Sequence, residues 1–171
     1  SNHRVLIFRP PFTNGMNANF VMGQPDFTQR AASLALSSPQ GLALDADGQL
    51  IVADAGNGRL TIFFAPHEND PEGGASRITG GQPTSVAVDA AGNIWVTDPA
   101  ANRVLRLPRS SGPPERVLCQ PDFVAALSGS ALDRCAFPFA VALDSQGAVY
   151  VADGFNGRVL RYPPDPANGA A

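Results

Sequence analysis

The sequence predicts an all-β fold, a partial β-propeller made of four-stranded antiparallel blades. Three observations favour it: one unit recurs along the chain, each copy alternates apolar and polar residues with the period of a half-buried strand, and no segment has a convincing helical period. The full copies are Pro39 to Phe63, Pro83 to Leu107 and Pro138 to Tyr162, and Ser1 to Phe8 matches only the tail of the unit.

The first half of the unit reads as a β-hairpin. In the first copy, Leu42 and Leu44 alternate with small residues, as in a strand with one packed face. The segment Asp45 to Gly48 then places a carboxylate at the start of a turn and glycine where a positive φ is needed. The β-branched run that follows predicts a second strand, which ends at Asp54.

The second half of the unit adds a third strand. A short Gly/Asn loop leads from Asp54 to Arg59, and the apolar segment Leu60 to Phe63 follows. Weaker apolar runs between the units predict a fourth strand in each blade, at Phe20 to Met22, Arg77 to Thr79 and Arg116 to Leu118. Such a unit cannot bury both of its faces alone, whereas several units arranged around an axis can.

The spacing of the units predicts how the chain is divided. Successive copies are alternately long and short, and both long ones contain a Gln-Pro-Asp-Phe insert, at Gln24 to Phe27 and Gln120 to Phe123. We therefore predict a single partial propeller domain over residues 1–171. Its parts are the end of one blade with an insert at 1–38, a blade at 39–82, a blade with an insert at 83–137 and an incomplete blade at 138–171.

These motifs resemble the NHL repeat family. The resemblance lies in the proline-led first strand, the Asp-x-x-Gly hairpin, the strand ending such as Val52-Ala53-Asp54, and the following Asn-x-Arg or Asn-Arg-Val, and it covers nearly the whole chain. It implies a six-bladed ring in the intact protein, closed within a longer chain or by a homodimer. The Gly-Gln-Pro-Asp-Phe insert resembles repeats of exported bacterial proteins.

Composition excludes several classes of protein. The formal net charge is -3, and the 12 basic residues are all arginines spread over the repeats, so we do not expect a nucleic-acid binder. No run of about 18 apolar residues could span a bilayer. No hydrolase, zincin or phosphate-loop motif occurs in the sequence, and we expect no cofactor and no metal.

The two cysteines, Cys119 and Cys135, lie in the same insert. They could be two small buried thiols, but reduced cysteines gain little from packing in a surface insert. We therefore predict a disulfide bond, which would indicate an oxidising compartment, extracellular or periplasmic, in a bacterium.

A carboxylate and an arginine recur in every unit, and this invites a catalytic interpretation. We instead expect structural pairs, because a catalytic group is needed once per ring and these occur once per blade. The predicted structural residues are Asp54, Arg59, Asp98, Arg103, Asp153 and Arg158.

Recognition is expected on the face that carries the loops between second and third strands and the inserts, because variable loops on a rigid scaffold build binding surfaces. The residues predicted for it are His3, Phe27, Asn57, Asn102, Phe123, Phe155 and Asn156. Phe27 and Phe123 could fill the gap between blades or contact a partner. The predicted function is a non-catalytic scaffold that binds a protein or another extracellular polymer. The alternatives are a lyase- or lactonase-like enzyme with a central metal or acid/base site and, third, an RNA-binding propeller.

Overall fold

A computed structural model describes residues 2–32, 35–64, 66–79 and 81–169. These residues form short strands and three single-turn 3₁₀ helices. The strands are β1 (Val5–Ile7), β2 (Phe20–Met22), β3 (Pro39–Leu44), β4 (Leu50–Asp54), β5 (Arg59–Phe63), β6 (Ala75–Ile78), β7 (Val86–Val88), β8 (Ile94–Asp98), β9 (Arg103–Leu107), β10 (Arg116–Leu118), β11 (Pro138–Leu143), β12 (Val149–Asp153) and β13 (Arg158–Tyr162). The 3₁₀ helices are Ala55–Asn57, Pro99–Ala101 and Gly154–Asn156.

The strands form four antiparallel sheets, each built from consecutive strands. The first sheet is β1-β2, the second β3-β4-β5-β6, the third β7-β8-β9-β10 and the fourth β11-β12-β13. In each of the last three sheets the repeated aspartate lies opposite the repeated arginine, as Asp54 opposite Arg59 does in the second sheet. The all-β partial propeller that the repeats predict is confirmed.

The hairpin turns are held by the predicted aspartates. The Asp45 carboxylate accepts hydrogen bonds from the backbone N–H groups of Asp47 and Gln49, at 3.0 and 2.8 Å. Gly48 closes the turn with a φ of 78°, which glycine adopts without the steric cost that a side chain brings. The other two hairpins repeat this arrangement.

The core lies between neighbouring sheets. Val5 and Met22 of the first sheet pack against Leu50 and Phe63 of the second. The second and third sheets share another apolar cluster, and the third and fourth share the one that contains Trp95. The first strand of the third sheet, β7, lies next to both β3 and β11. The sheets are therefore stacked in chain order with their first strands together, as blades around an axis are.

The fourth strands also form. β2 and β10 have the predicted bounds, and β6 begins and ends slightly earlier than the Arg77 to Thr79 run. In the described part of the chain, no helix has the length and apolar character needed to cross a membrane.

Candidate functional site

One end of the stacked sheets carries the 3₁₀ helices and both inserts. We define insert 1 as residues 23–38 and insert 2 as residues 119–137, and we name this end the insert face. Hydrogen bonds join insert 2 to the 3₁₀ segments on either side, because Asn102 accepts one from the Phe137 N–H and Asn156 donates one to the Gly129 carbonyl. Insert 2 thus bridges the third and fourth sheets.

The repeated aspartates are buried beneath this face and each accepts a hydrogen bond from its arginine. The Nε of Arg59 lies 3.2 Å from Asp54 Oδ2, and the same distance is 2.9 Å in the third sheet and 2.7 Å in the fourth. In the second sheet, Ser37 N–H, Asn57 Nδ2 and Thr61 Oγ1 also donate to Asp54. Asp153 has the equivalent partners in Ala136 and Asn156. These carboxylates satisfy neighbouring loops.

Asp98 differs from the other two. Only Arg103 donates to it among the described residues, and its Oδ1 is buried without a hydrogen-bond partner. The sequence explains the missing partner of Oδ2, since Ala101 stands where the other two sheets have an asparagine that donates to that oxygen. At Oδ1, Gly81 takes the place of Ser37, whose N–H donates to Asp54, and a Cβ at Gly81 would overlap Asp98 Oδ1. The third sheet therefore holds the least satisfied carboxylate of the three.

The outer ends of the arginines bind the backbone of the inserts. Arg103 Nη1 donates to the Phe123 carbonyl at 2.5 Å, and Arg4 Nη1 donates to the Phe27 carbonyl at 2.6 Å. Arg158 donates to three backbone carbonyls of insert 2, those of Ser130, Ala131 and Arg134. The guanidinium groups thus hold the backbone of both inserts.

The glutamine of the Gln-Pro-Asp-Phe segment has the same role in both inserts. Gln24 Nε2 donates to the carbonyls of His3 and Ala31, at 2.9 and 2.8 Å. Gln120 Nε2 donates to the carbonyls of Asn102 and Leu127, at 2.9 and 2.7 Å. Both glutamines are buried, and each fixes its insert to the loop residue, His3 or Asn102, that precedes the neighbouring strand.

The aspartate of this segment forms the turn that follows. Asp122 Oδ1 accepts hydrogen bonds from the Val124 and Ala125 N–H groups, both at 2.8 Å. These bonds, that from Ala125 most of all, lower the pKa of the Asp122 carboxyl. Asp26 forms the same turn, and its side-chain hydrogen bond from Thr28 is the largest cause of its lowered pKa.

The predicted polar residues of the face are engaged within the fold. His3 and Asn102 occupy equivalent left-handed positions, with φ of 47° and 51°. The Nδ1 of His3 accepts from the Ser38 N–H at 2.9 Å, as Asn102 Oδ1 does from Phe137. Asn57 and Asn156 donate to the buried aspartates. These four side chains position loops, so a ligand would have to displace internal bonds to reach them.

The predicted aromatic residues are exposed. The Phe27 and Phe123 side chains are 42% and 37% exposed, and Phe155 is 80% exposed while its ring stacks on Phe137 at 4.8 Å between centroids. Insert 2 adds Val124, which is 90% exposed. Leu127, Leu132 and Phe139 are exposed as well. The rings of Phe27 and Phe123 are thus partly buried and partly accessible.

Taken residue by residue, the sequence does not mark the two glutamines, Val124 or Leu127 as functional. The signal was present in the equivalence of the inserts, because aligning Gln24 with Gln120 pairs Thr28 with Val124. Within residues 2–32, 35–64, 66–79 and 81–169, no group of three or more His, Cys, Asp and Glu side chains could hold a metal ion.

Comparison with known proteins gives the same architecture. Residues 36–63 match the NHL repeat family model. The chain is 38% identical over 85 residues to mouse peptidyl-glycine alpha-amidating monooxygenase, which covers 48% of this chain and 8% of that protein. It is 35% identical over 134 residues to the rat peptidylglycine alpha-amidating monooxygenase, covering 73% of this chain and 12% of the relative.

A third relative is the fruit fly peptidyl-alpha-hydroxyglycine alpha-amidating lyase 1, 36% identical over 47% of this chain and 14% of its own length. The chain therefore spans only a small part of each of these relatives. Among solved structures, a streptogramin B lyase superimposes with a TM-score of 0.53 at 17% identity, over 79% of this chain and 43% of that one. At 17% identity, this likeness shows a similar fold and nothing further.

Proposed function

Because this chain carries NHL-type repeats in a partial β-propeller, we propose that it is a non-catalytic recognition scaffold whose insert face binds an apolar segment of a protein or another extracellular polymer. The Asp–Arg pairs and the buried glutamines hold the inserts in this proposal. The side chains that the inserts expose make the contacts.

One observation carries the proposal: the two inserts have the same internal hydrogen bonds but different exposed side chains. Where insert 1 has Thr28, insert 2 has Val124, although threonine would fit better because the Thr28 hydroxyl bonds to its aspartate at 2.6 Å. Leu127 likewise stands where insert 1 has Ala31. Apolar side chains that a loop does not need for folding, exposed on a rigid frame, are typical of a binding surface.

The charged residues of the face support binding without catalysis. Both carboxylate oxygens of Asp54 and of Asp153 accept hydrogen bonds from groups within the fold. The guanidinium N–H groups of the arginines donate to these carboxylates and to the insert backbone. A general acid or base needs a free position within hydrogen-bond reach of a substrate. Groups held in this way are better suited to fixing a surface.

We propose that the chain belongs to an oxidising compartment of a bacterial source, extracellular or periplasmic. Its support is the disulfide between Cys119 and Cys135, a bond that reducing compartments rarely maintain. Closure of the ring by a second copy of the chain stays a prediction, which light scattering on the purified chain measures as a doubled mass.

A panning experiment tests the recognition proposal. A phage library of random peptides is selected on the 171-residue chain and on a graft in which Val124, Ala125, Ala126 and Leu127 become Thr, Gln, Arg and Ala, the sequence of insert 1. We expect peptides rich in apolar residues whose affinity falls at least tenfold on the graft. The matched control is Phe64→Ser, because Phe64 is also exposed but lies between β5 and β6, at the opposite end of the sheets.

Peptides that bind the graft as tightly as the original chain, or that lose affinity with Phe64→Ser, would contradict the proposal. Peptides rich in apolar residues that bind the original chain and Phe64→Ser but bind the graft at least tenfold more weakly support it. The graft keeps the Asp122 turn and the Gln120 bonds, so loss of binding is not loss of fold, and circular dichroism checks this.

A second candidate function is a lyase, because relatives at 35 to 38% identity are named as amidating enzymes. Asp98, with its unpartnered Oδ1, is the carboxylate that such a reading would involve. Incubation with a synthetic peptidyl-α-hydroxyglycine and detection of the released amide by mass spectrometry separates the two. We expect no product above the rate in buffer. Product that forms with the original chain but not with Asp98→Asn would contradict the scaffold proposal and support the lyase.

A further inference from the structure

We propose that the Cys119–Cys135 disulfide is a redox-sensitive latch on insert 2, and that Gly23 and Leu36 form its redox-insensitive equivalent on insert 1. Reduction would release insert 2 and leave insert 1 and the sheets in place. This inference stands on the geometry of the inserts and needs no ligand.

The bond joins the two ends of insert 2. Cys119 directly follows the last residue of β10, and Cys135 lies just before β11, with the two Cα atoms 5.1 Å apart. The residues between them, 120–134, carry the exposed Val124, Leu127 and Leu132. A single covalent bond thus closes the whole exposed part of the insert into a loop.

Insert 1 has an apolar contact at the same place. Gly23 takes the position of Cys119, and both have a positive φ, 79° and 68°. Leu36 takes the position of Cys135 and is fully buried, with its side chain lying so close over Gly23 that a Cβ there would overlap it. The same closure is covalent in one insert and apolar in the other, so only insert 2 can respond to a reductant.

The latch is shielded by the core between the third and fourth sheets. Both cysteines are fully buried beside Trp95 and Leu118, and Cys119 Sγ lies 3.6 Å from the Tyr162 hydroxyl. Burial raises the pKa of Tyr162 to about 12, in keeping with an apolar setting for the sulfur atoms. A reductant therefore reaches the bond only when the insert opens locally, and local opening sets the rate of reduction.

The chemical step is a thiol–disulfide exchange with a small dithiol. One thiolate of the dithiol attacks one sulfur of the bond, so that the protein S–S bond breaks, the other cysteine leaves as a thiolate and a mixed disulfide forms. The second thiolate of the dithiol then attacks its own sulfur in the mixed disulfide and displaces the remaining cysteine as a thiolate. Two electrons and two protons pass to the protein, which gains two thiols, and the dithiol becomes a cyclic disulfide.

Hydrogen bonds still join insert 2 to the sheets after reduction. Arg103 and Arg158 donate to its carbonyls and Gln120 donates to the Asn102 carbonyl, but these bonds break when the insert opens. Without the disulfide, the open insert gains conformational entropy. The loop-closure entropy of a segment of this length predicts that reduction raises the equilibrium constant for opening on the order of 100-fold.

Hydrogen exchange with mass spectrometry on the full chain tests the latch. After reduction with dithiothreitol, we expect amides of insert 2, including those of Val124, Ala125 and Leu127, to exchange on the order of 100 times faster, while segment 24–32 stays unchanged. Unchanged exchange in insert 2, or equally faster exchange in all sheets, would overturn the inference.

Two reciprocal variants complete the design. Cys119→Gly with Cys135→Leu copies the insert 1 contact, and its insert 2 should exchange at the same rate with and without dithiothreitol. Gly23→Cys with Leu36→Cys should transfer the sensitivity to insert 1, as fast exchange of segment 24–32 that appears only after reduction. If the first variant still responds to the reductant, the effect does not come from this bond and the latch is refuted.

Discussion

Replacing each buried aspartate by asparagine should destabilise the chain in proportion to the hydrogen bonds that the carboxylate accepts. Among the described residues, Asp54 accepts four, from Ser37, Asn57, Arg59 and Thr61. Asp153 accepts three, and Asp98 accepts one. All three carboxylates are buried to a similar extent, so the number of donors is the main difference between them.

The magnitudes follow from these partners. In Asp54→Asn, the new amide NH2 must face a donor in either orientation, because both carboxylate oxygens accept hydrogen bonds, and Arg59 loses its buried counter-charge. Breaking such a pair costs about 3–5 kcal/mol. Asp98→Asn also removes the counter-charge of its arginine, but the amide can turn its NH2 toward the side that has no donor and still accept from Arg103, so the cost should be smaller than for Asp54→Asn by about 1–3 kcal/mol.

Equilibrium unfolding in urea, followed by the fluorescence of the single tryptophan, measures these costs. Trp95 is buried between the third and fourth sheets and reports the loss of that core. The expected order of destabilisation is Asp54, then Asp153, then Asp98. A loss for Asp98→Asn that equals or exceeds the loss for Asp54→Asn would refute the reasoning, because hydrogen-bond partners would then not determine the role of these residues.

Three further predictions concern insert 2. Gln120→Leu should lower the free energy of unfolding by at least about 2 kcal/mol in the same urea assay, because two carbonyls and the Leu127 N–H lose their buried partner. Cys119→Ala with Cys135→Ala should lower it by about 3 kcal/mol, and Cys119→Gly with Cys135→Leu by clearly less, since glycine suits the positive φ and leucine restores the apolar contact; equal losses would contradict the equivalence of the two inserts. The pKa of Asp122 is lowered in the fold, so its contribution is complete above its ordinary pKa of 3.8 and is lost as the pH falls through the folded value. Urea midpoints between pH 2 and pH 5 should therefore fall less steeply in Asp122→Asn, and parallel curves would show that the carboxylate has no role.

Much of the fold could be predicted because the repeat states the same pattern several times. The alternation around Leu42, the turn at Asp45 to Gly48 and the paired Asp54 and Arg59 each recur at fixed offsets. Residues that recur at the same offset in every unit are the ones that the repeated structure requires, and residues that do not recur are specific to one unit. The disulfide could be predicted for a different reason, since both cysteines fall within one insert.

The bonds that hold the inserts could not be predicted in the same way. Gln24 and Gln120 donate to backbone carbonyls, and a carbonyl is present at every residue, so nothing in the sequence marks the acceptor. The sequence predicts His3 for the binding surface, but nothing in it indicates that Nδ1 of the ring accepts the Ser38 N–H. This role depends on a left-handed backbone conformation, which glycine adopts at the equivalent positions of the other units. The residue types histidine and asparagine do not predict that conformation.

The central claim is that the inserts are fixed by their internal bonds and that their exposed side chains are free to vary for recognition. The graft that gives insert 2 the Thr-Gln-Arg-Ala sequence of insert 1 tests it most directly, through its free energy of unfolding in urea. The claim predicts a change within about 0.5 kcal/mol, as for exposed positions. A loss of about 2 kcal/mol or more would contradict it, because Val124 and Leu127 would then belong to the core and not to a binding surface.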